Sequence, residues 1–177
     1  SLRRQRQMCI RDRVTTGLIQ EIELGVVIGK PGRDINPENA FEHIFGYTII
    51  NDVSARSLDF SPDREGTGFF DWLNGKWLDT FAPLGPWIVT RDEIRDPQAL
   101  TISTYVNGNR KQHNSTAQML VPVADLIEYI SAIVTLEPGD LIYTGTPGEP
   151  QEMHDGDVCE IELEGIGILS NPIKLEK

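Results

Sequence analysis

Two apolar runs, each carrying acid at one end, set the frame for this chain. Tyr47-Thr48-Ile49-Ile50 reads as a buried strand, and Asp52 falls where that strand should stop. A carboxylate at the mouth of a buried strand has to be paired or bound to a cation, because an isolated charge out of water is too costly to keep. The second run, Leu24 to Ile28, comes directly after Glu21-Ile22-Glu23. Strand side chains alternate, so Glu21 and Glu23 project from one face roughly 7 Å apart, close enough for both to reach one ion. Three carboxylates with no histidine or cysteine at matching spacing suit a hard divalent cation, Mg2+ or Mn2+ first and Ca2+ second.

A plainer reading competes with this one, since Glu-x-Glu decorates many solvated sheet faces. The same pattern recurs at Glu160 and Glu162, where Val158 to Leu163 alternates fully and the acids are expected to face water. What distinguishes the first pair is the unbroken apolar run behind it, which predicts burial on both faces. Asp52 likewise comes after a continuous apolar run. Acids at the ends of two buried strands are harder to explain as decoration than one.

At 177 residues the chain is expected to form one domain with a sizeable core. A formal charge of -11 argues against nucleic acid and anionic membrane as partners. There is no bilayer-length apolar run and no secretory pattern at the start. Cys9 and Cys159 alone do not indicate a disulfide framework, which makes a reducing cytoplasm the default location. Residues 1–13 differ in charge from the rest of the chain: they hold five arginines and one aspartate, leaving 11 positive and 26 negative residues, a formal -15, in 14–177. They read as a disordered or foreign leader, Met8 to Arg13 resembling translated sequencing-adapter sequence, ahead of a single catalytic domain that is incomplete at its N-terminus.

Along the chain, Asn36-Pro37-Glu38 offers a helix start, with Asn36 as N-cap, a stripe of Ala40, Phe41, Ile44 and Phe45, and Gly46 as the stop. Residues 57–75 lack periodicity and read as a lid or binding loop holding Phe69, Phe70 and Trp72. Pro83 to Pro86 reads as a turn before a short strand, Trp87 to Thr90. Asn107-Gly108 predicts a hairpin after the strand Leu100 to Val106. The strongest helix is expected over Val121–Val134, with Val123, Leu126, Ile127, Ile130, Ile133 and Val134 facing a sheet. The strand Leu141-Ile142-Tyr143 then runs into Thr144-Gly145-Thr146-Pro147, where glycine admits a ligand to the backbone and the hydroxyls can bind a carboxylate.

Several blocks, in order, resemble the catalytic domain of the fumarylacetoacetate hydrolase family. They are Glu21-x-Glu23-Leu24 with Val27-Ile28-Gly29-Lys30, Asn51-Asp52-Val53-Ser54-Ala55-Arg56, Lys76 with Asp79 to Pro86, Val106-Asn107-Gly108, Leu136 to Asp140, and Thr144 to Pro147. The resemblance implies a β-rich mixed α/β domain, a rolled or sandwich-like sheet with two covering helices, and a homodimer. It implies a divalent ion on Glu21, Glu23 and Asp52, a catalytic Lys76, and substrate contacts at Arg56, Asp59, Thr80 and Thr146. The chemistry it implies is metal-dependent turnover of small 2-oxo (diketo) acids through an enolate, by carbon-carbon hydrolysis or decarboxylation, as in aromatic-compound catabolism. Isomerisation of a diene-dioate and sugar-acid dehydration are alternatives on the same enolate, and a non-catalytic metal-binding β-rich domain is the reading of another class. The departures are informative: His43, His113 and His154 lie in no stretch resembling the family's lid histidine, Ser57 replaces an aspartate, and Asp59 stands where several hydrolases carry a glutamine.

Overall fold

In a computed structural model the described residues are 10–12, 17–56 and 72–175. The described chain is mixed α/β and strand-rich, and its strands form three sheets. The centre is β3 (Ile22–Ile28), in which every residue is buried. Such a strand cannot have a solvated face, which explains its continuous apolar sequence. It pairs antiparallel with β4 (Ile44–Asn51) on one side and with β9 (Leu141–Tyr143) on the other. The fourth strand of this sheet, β6 (Leu84–Thr90), pairs with β4 at the edge. Gly25 lies where these strands approach closely: a Cβ there would come within 2.6 Å of Ile50 Cδ1.

A five-stranded sheet packs against this one, with β11 (Val158–Leu163) and β12 (Gly167–Leu175) facing β4 and with β12 also meeting β6. Its remaining members are β7 (Thr101–Val106), β8 (Asn109–Ser115) and β1 (Ile10–Asp12), the last running parallel to β12. The expected hairpin is present: Asn107 and Gly108 both take positive φ, as its tight turn requires. A small third sheet joins β2 (Leu18–Ile19) to β5 (Ser54–Ala55) and β10 (Glu152–Met153). The core lies between the layers, with Ile22, Leu24, Ile49, Ile161, Leu163 and Leu169 almost wholly out of water. Among the described residues no helix is long and apolar enough to cross a membrane.

The structure corrects three expectations. Residues Pro37–His43 form a 3-10 helix, Asn36 makes no side-chain cap, and the chain passes straight into β4 at Ile44. Ile44, Phe45 and Gly46 therefore belong to a strand, and of the expected stripe on the helical segment only Ala40 is buried there. The expected turn Pro83 to Pro86 is mostly strand, because β6 begins at Leu84; Pro86 is tolerated there since β6 is an edge strand. The main helix, α1 (Val123–Ile133), buries Val123, Ile127 and Ser131, while Ile133 and Val134 are 59% and 48% exposed. Ser131 replaces them on the inner face because its hydroxyl accepts from Ile35 N–H at 2.9 Å and donates to Glu128 O at 3.0 Å. The polar residue is thereby satisfied, and the loop after β3 is tied to the helix.

Candidate metal centre

The ladder between β3 and β4 pairs Ile22 with Asn51 and Glu23 with Ile50. One step further, Asp52 N–H donates to Glu21 O at 2.8 Å, so the pairing carries on past the strand ends. Directly opposed residues of an antiparallel pair project to the same face, and so do residues two apart on one strand. Register alone therefore turns Glu21, Glu23 and Asp52 to one side, and their carboxylate oxygens lie within 4.8 Å of one another. Beyond β9 the chain continues alongside β3: Thr144 Oγ1 donates to Leu24 O at 2.8 Å, and Gly145 N–H to Glu23 Oε2 at 2.8 Å. Gly145 adopts φ +90, a conformation suited to glycine, and this aims its N–H at the acid.

Lys76 completes the cluster. The Ala55 N–H bonds Gly75 O at 2.9 Å and so holds the lysine above the acids. Its ammonium lies 2.6 Å from Glu21 Oε2, 2.7 Å from Asp52 Oδ2 and 5.7 Å from the centre of the Trp72 ring. Ser54 Oγ donates to Glu21 Oε1 at 3.0 Å, and Arg56 reaches that same oxygen at 3.8 Å from an exposed position. Beneath them Asn51, fully buried, accepts from Glu21 N–H at 3.2 Å.

Proton affinities here are governed by burial. Glu23 is 4% exposed, and desolvation pushes its pKa up to about 7 against the pull of the Gly145 N–H, with the Asp52 charge adding to the rise. Burial also raises Asp52, offset in part by Lys76. Burial disfavours the Lys76 charge, yet the hydrogen bonds to Asp52 and Glu21 outweigh it and the group is held charged above its ordinary range. Tyr143 is pushed up to about 12 by burial and then by the charges of Asp52 and Glu23. Burial thus opposes the charged forms of Glu23 and Asp52, and positive charge beside them eases it. That condition, an all-oxygen donor set and the short separations fit a hard divalent cation.

A cavity of about 390 Å³ adjoins the cluster and shares Gly145 with it; Thr146, Thr116, Met119 and Leu24 are also on its wall. The Thr146 hydroxyl is buried and has no hydrogen-bond partner among the described residues, so it can offer a bond to a ligand. The structure thus brings together Glu21, Glu23, Asp52 and Lys76, with Arg56 at the rim and Thr146 on the adjoining wall. Thr80 sits in the turn after Lys76 at φ +71. Asp59, with most of the expected lid loop, lies outside the described residues. Ser54, Asn51, Trp72 and Tyr143 belong to the site without having been expected there. Ser54 was within reach of sequence reasoning, since it is two residues from Asp52 and so shares its side.

Comparison with known proteins was consistent with this geometry. The family model for the fumarylacetoacetate (FAA) hydrolase C-terminal region matches residues 2–174. The chain is 46% identical over 155 residues to the 2,4-didehydro-3-deoxy-L-rhamnonate hydrolase of a Sphingomonas species, covering 83% of this chain and 52% of that protein. It superposes on 5-carboxymethyl-2-hydroxymuconate delta-isomerase from Mycobacterium smegmatis with a TM-score of 0.86 and 41% identity, covering 97% of this chain and 64% of that one. Fumarylpyruvate hydrolase from Pseudomonas aeruginosa, in complex with Mn2+ and pyruvate, gives a TM-score of 0.86 at 32% identity over 96% of this chain and 72% of that one. The chain spans about half to two thirds of the length of the first two of these proteins.

Proposed function

The chain belongs to the fumarylacetoacetate hydrolase family, and on that premise we propose that it is a divalent-metal-dependent enzyme acting on small 2-oxo acids, by carbon-carbon hydrolysis or decarboxylation. One observation carries the proposal: three carboxylates from two separate segments lie within 4.8 Å of one another, with an ammonium group bonded to two of them. A cluster of three acids and a lysine with perturbed proton affinities is a candidate functional site. Glu21, Glu23 and Asp52 hold the ion, with Mg2+ as the first choice and Mn2+ or Ca2+ as alternatives. When bound, the ion supplies Lewis-acid stabilisation of negative charge on a 2-oxo acid.

The chain's own residues do the rest. Gly145 N–H fixes one Glu23 oxygen, and Ser54 fixes one oxygen of Glu21, so the carboxylates are oriented before substrate arrives. Lys76 keeps its positive charge against burial and faces the negative charge that develops as the enolate forms. Thr146 donates its hydroxyl to a substrate carboxylate and Arg56 screens the open side, and Thr80 and Asp59 are the remaining substrate contacts in this reading. The large apolar side chains of Phe45, Trp87, Ile88 and Ile168 are left half exposed, which supports a homodimer, and the compartment we propose is the cytoplasm.

A second reading is proton-shift chemistry, isomerisation or dehydration, without a hydrolytic water. It is favoured because the described histidines are engaged elsewhere: His43 bonds Lys30 O, His113 bonds Ser103, and His154 is in the turn before β11. Acetylpyruvate and oxaloacetate offered with Mg2+ test the first reading, and it requires turnover that Asp52→Ala removes. Product analysis on a diene-dioate separates the second. Metal binding without turnover of any of these substrates would leave only a metal-binding domain.

A further inference from the structure

We infer that Gln112, on β8 and outside the cluster of acids, is a positioning residue for the candidate centre: its side-chain amide anchors segment 144–147 and so keeps Gly145 and Thr146 aimed. The inference deepens the metal-dependent reading and rests on it. Segment 144–147 lies beyond the end of β9, where ladder pairing with β3 stops. Bonds to side chains take over there. Thr144 Oγ1 is on Leu24 O and Gly145 N–H on Glu23, while from the far side Gln112 Nε2 donates to Pro147 O at 2.6 Å. Among the described residues a Cβ built on Gly145 would meet nothing within 4 Å, so these bonds rather than close packing hold the turn.

The anchor is itself held. Gln112 is 6% exposed and Thr104 is fully buried. The two are directly opposed on β8 and β7, beside the irregularity between Thr104 and Tyr105. Thr104 Oγ1 donates to Gln112 Oε1 at 3.1 Å. A carbonyl can only accept, so Nε2 must face Pro147 while the threonine fixes the other end of the amide. Pro147 passes this hold along the chain, because its ring fixes φ and the residue before a proline is confined to extended backbone. Thr146, and behind it the Gly145 N–H, therefore take their placement from the bond to Pro147 O. Asn114, two residues along β8 and on the same side, backs the next position: a Cβ on Gly148 would lie 3.7 Å from its Nδ2.

Gln112→Met keeps the length of the side chain but removes both bonds. Thr104→Val keeps its shape and leaves Oε1 without a donor, which costs stability, yet it spares the bond to Pro147. Mn2+ affinity of the full chain is measured by calorimetry, with thermal midpoints and the kinetics of acetylpyruvate and oxaloacetate in parallel. An outer partner of a metal ligand is worth about 10–100-fold in affinity, and Gln112 acts one step further out. Gln112→Met is therefore expected to weaken Mn2+ binding at least about threefold. Through Thr146 it should also raise KM at least about fivefold with kcat within about twofold, the pattern of lost uniform binding. Thr104→Val is expected to lower the midpoint while Mn2+ affinity stays within about twofold, since Nε2 remains on Pro147. Should Gln112→Met fail to fold, Gln112→Asn, too short to span Thr104 and Pro147 together, carries the same expectation. Unchanged Mn2+ affinity in the Gln112 variant, or a fall in kcat with KM unmoved, overturns the inference. An equal loss of affinity in Thr104→Val also overturns it, because affinity would then follow stability alone. The expected loss of Mn2+ affinity in a chain that turns over neither substrate supports the inference and refutes the hydrolysis or decarboxylation reading. If the unaltered chain binds no Mn2+, both fail.

Discussion

Glu23→Gln is expected to stabilise the metal-free protein, although it removes a residue of the proposed active site. In the fold Glu23 holds its proton up to about pH 7, against an ordinary value of 4.5. Below the lower value the carboxyl is protonated in both folded and unfolded chains and contributes no difference. Between the two values the unfolded chain loses its proton first, so this group erodes stability as pH rises; above about 7 the full cost is present. At 1.36 kcal/mol per unit, that cost is about 3 kcal/mol. A neutral amide keeps the Gly145 contact without it. Because ~1 kcal/mol moves the midpoint of a chain this size by about 2–4 °C, the variant should melt on the order of 5–10 °C higher in chelator at about pH 8.5, and within a degree or two at about pH 4.5. Adding Mn2+ should reverse the order, since binding stabilises the native chain by mass action and the variant has lost a ligand. Thermal melts at two pH values, with chelator and with Mn2+, are sufficient. A lower midpoint for the variant in chelator at high pH, or the same gain at both pH values, would refute the argument.

Other expectations rest on the same geometry. Gly145→Ala meets no atom within 4 Å of the new Cβ, but at φ +90 it should cost about 1–2 kcal/mol and weaken ion binding by moving the N–H off Glu23, read by calorimetry. Lys76→Met leaves Glu21 and Asp52 facing each other without their shared cation; the metal-free protein should be destabilised by about 1–3 kcal/mol, and turnover should fall even at saturating Mn2+. Trp87→Glu, at an exposed apolar side chain, should yield a monomer in sedimentation if the proposed homodimer forms there, without disturbing the metal centre.

Much of the candidate site's geometry was legible in sequence because its acids sit where buried strands end. Burial of every residue in β3 matches the unbroken apolar run, and the acid after Ile50 and Asn51 does mark the end of β4. What the sequence did not carry was register. That Glu21 meets Asp52 depends on β3 and β4 being antiparallel neighbours, information held by two separated strands together. The 3-10 segment was misread because Ala40, Phe41, Ile44 and Phe45 satisfy helical spacing as well as a short helix running into a strand, and the last two are claimed by the β4 ladder. Proline at position 86 suggested a turn, although an edge strand loses nothing by its missing N–H. On α1 the spacing overstated the buried stripe, because Ser131, satisfied by Ile35 and Glu128, takes the place assigned to Ile133. Side-chain hydrogen bonding between distant segments leaves no periodic trace.

The most direct test of the metal centre is a Mn2+ titration monitored by electron paramagnetic resonance, on the unaltered chain and on Asp52→Ala. The account predicts one bound ion per chain in the first, and at least about a tenfold loss of affinity in the second. Binding of equal strength in both proteins would contradict it.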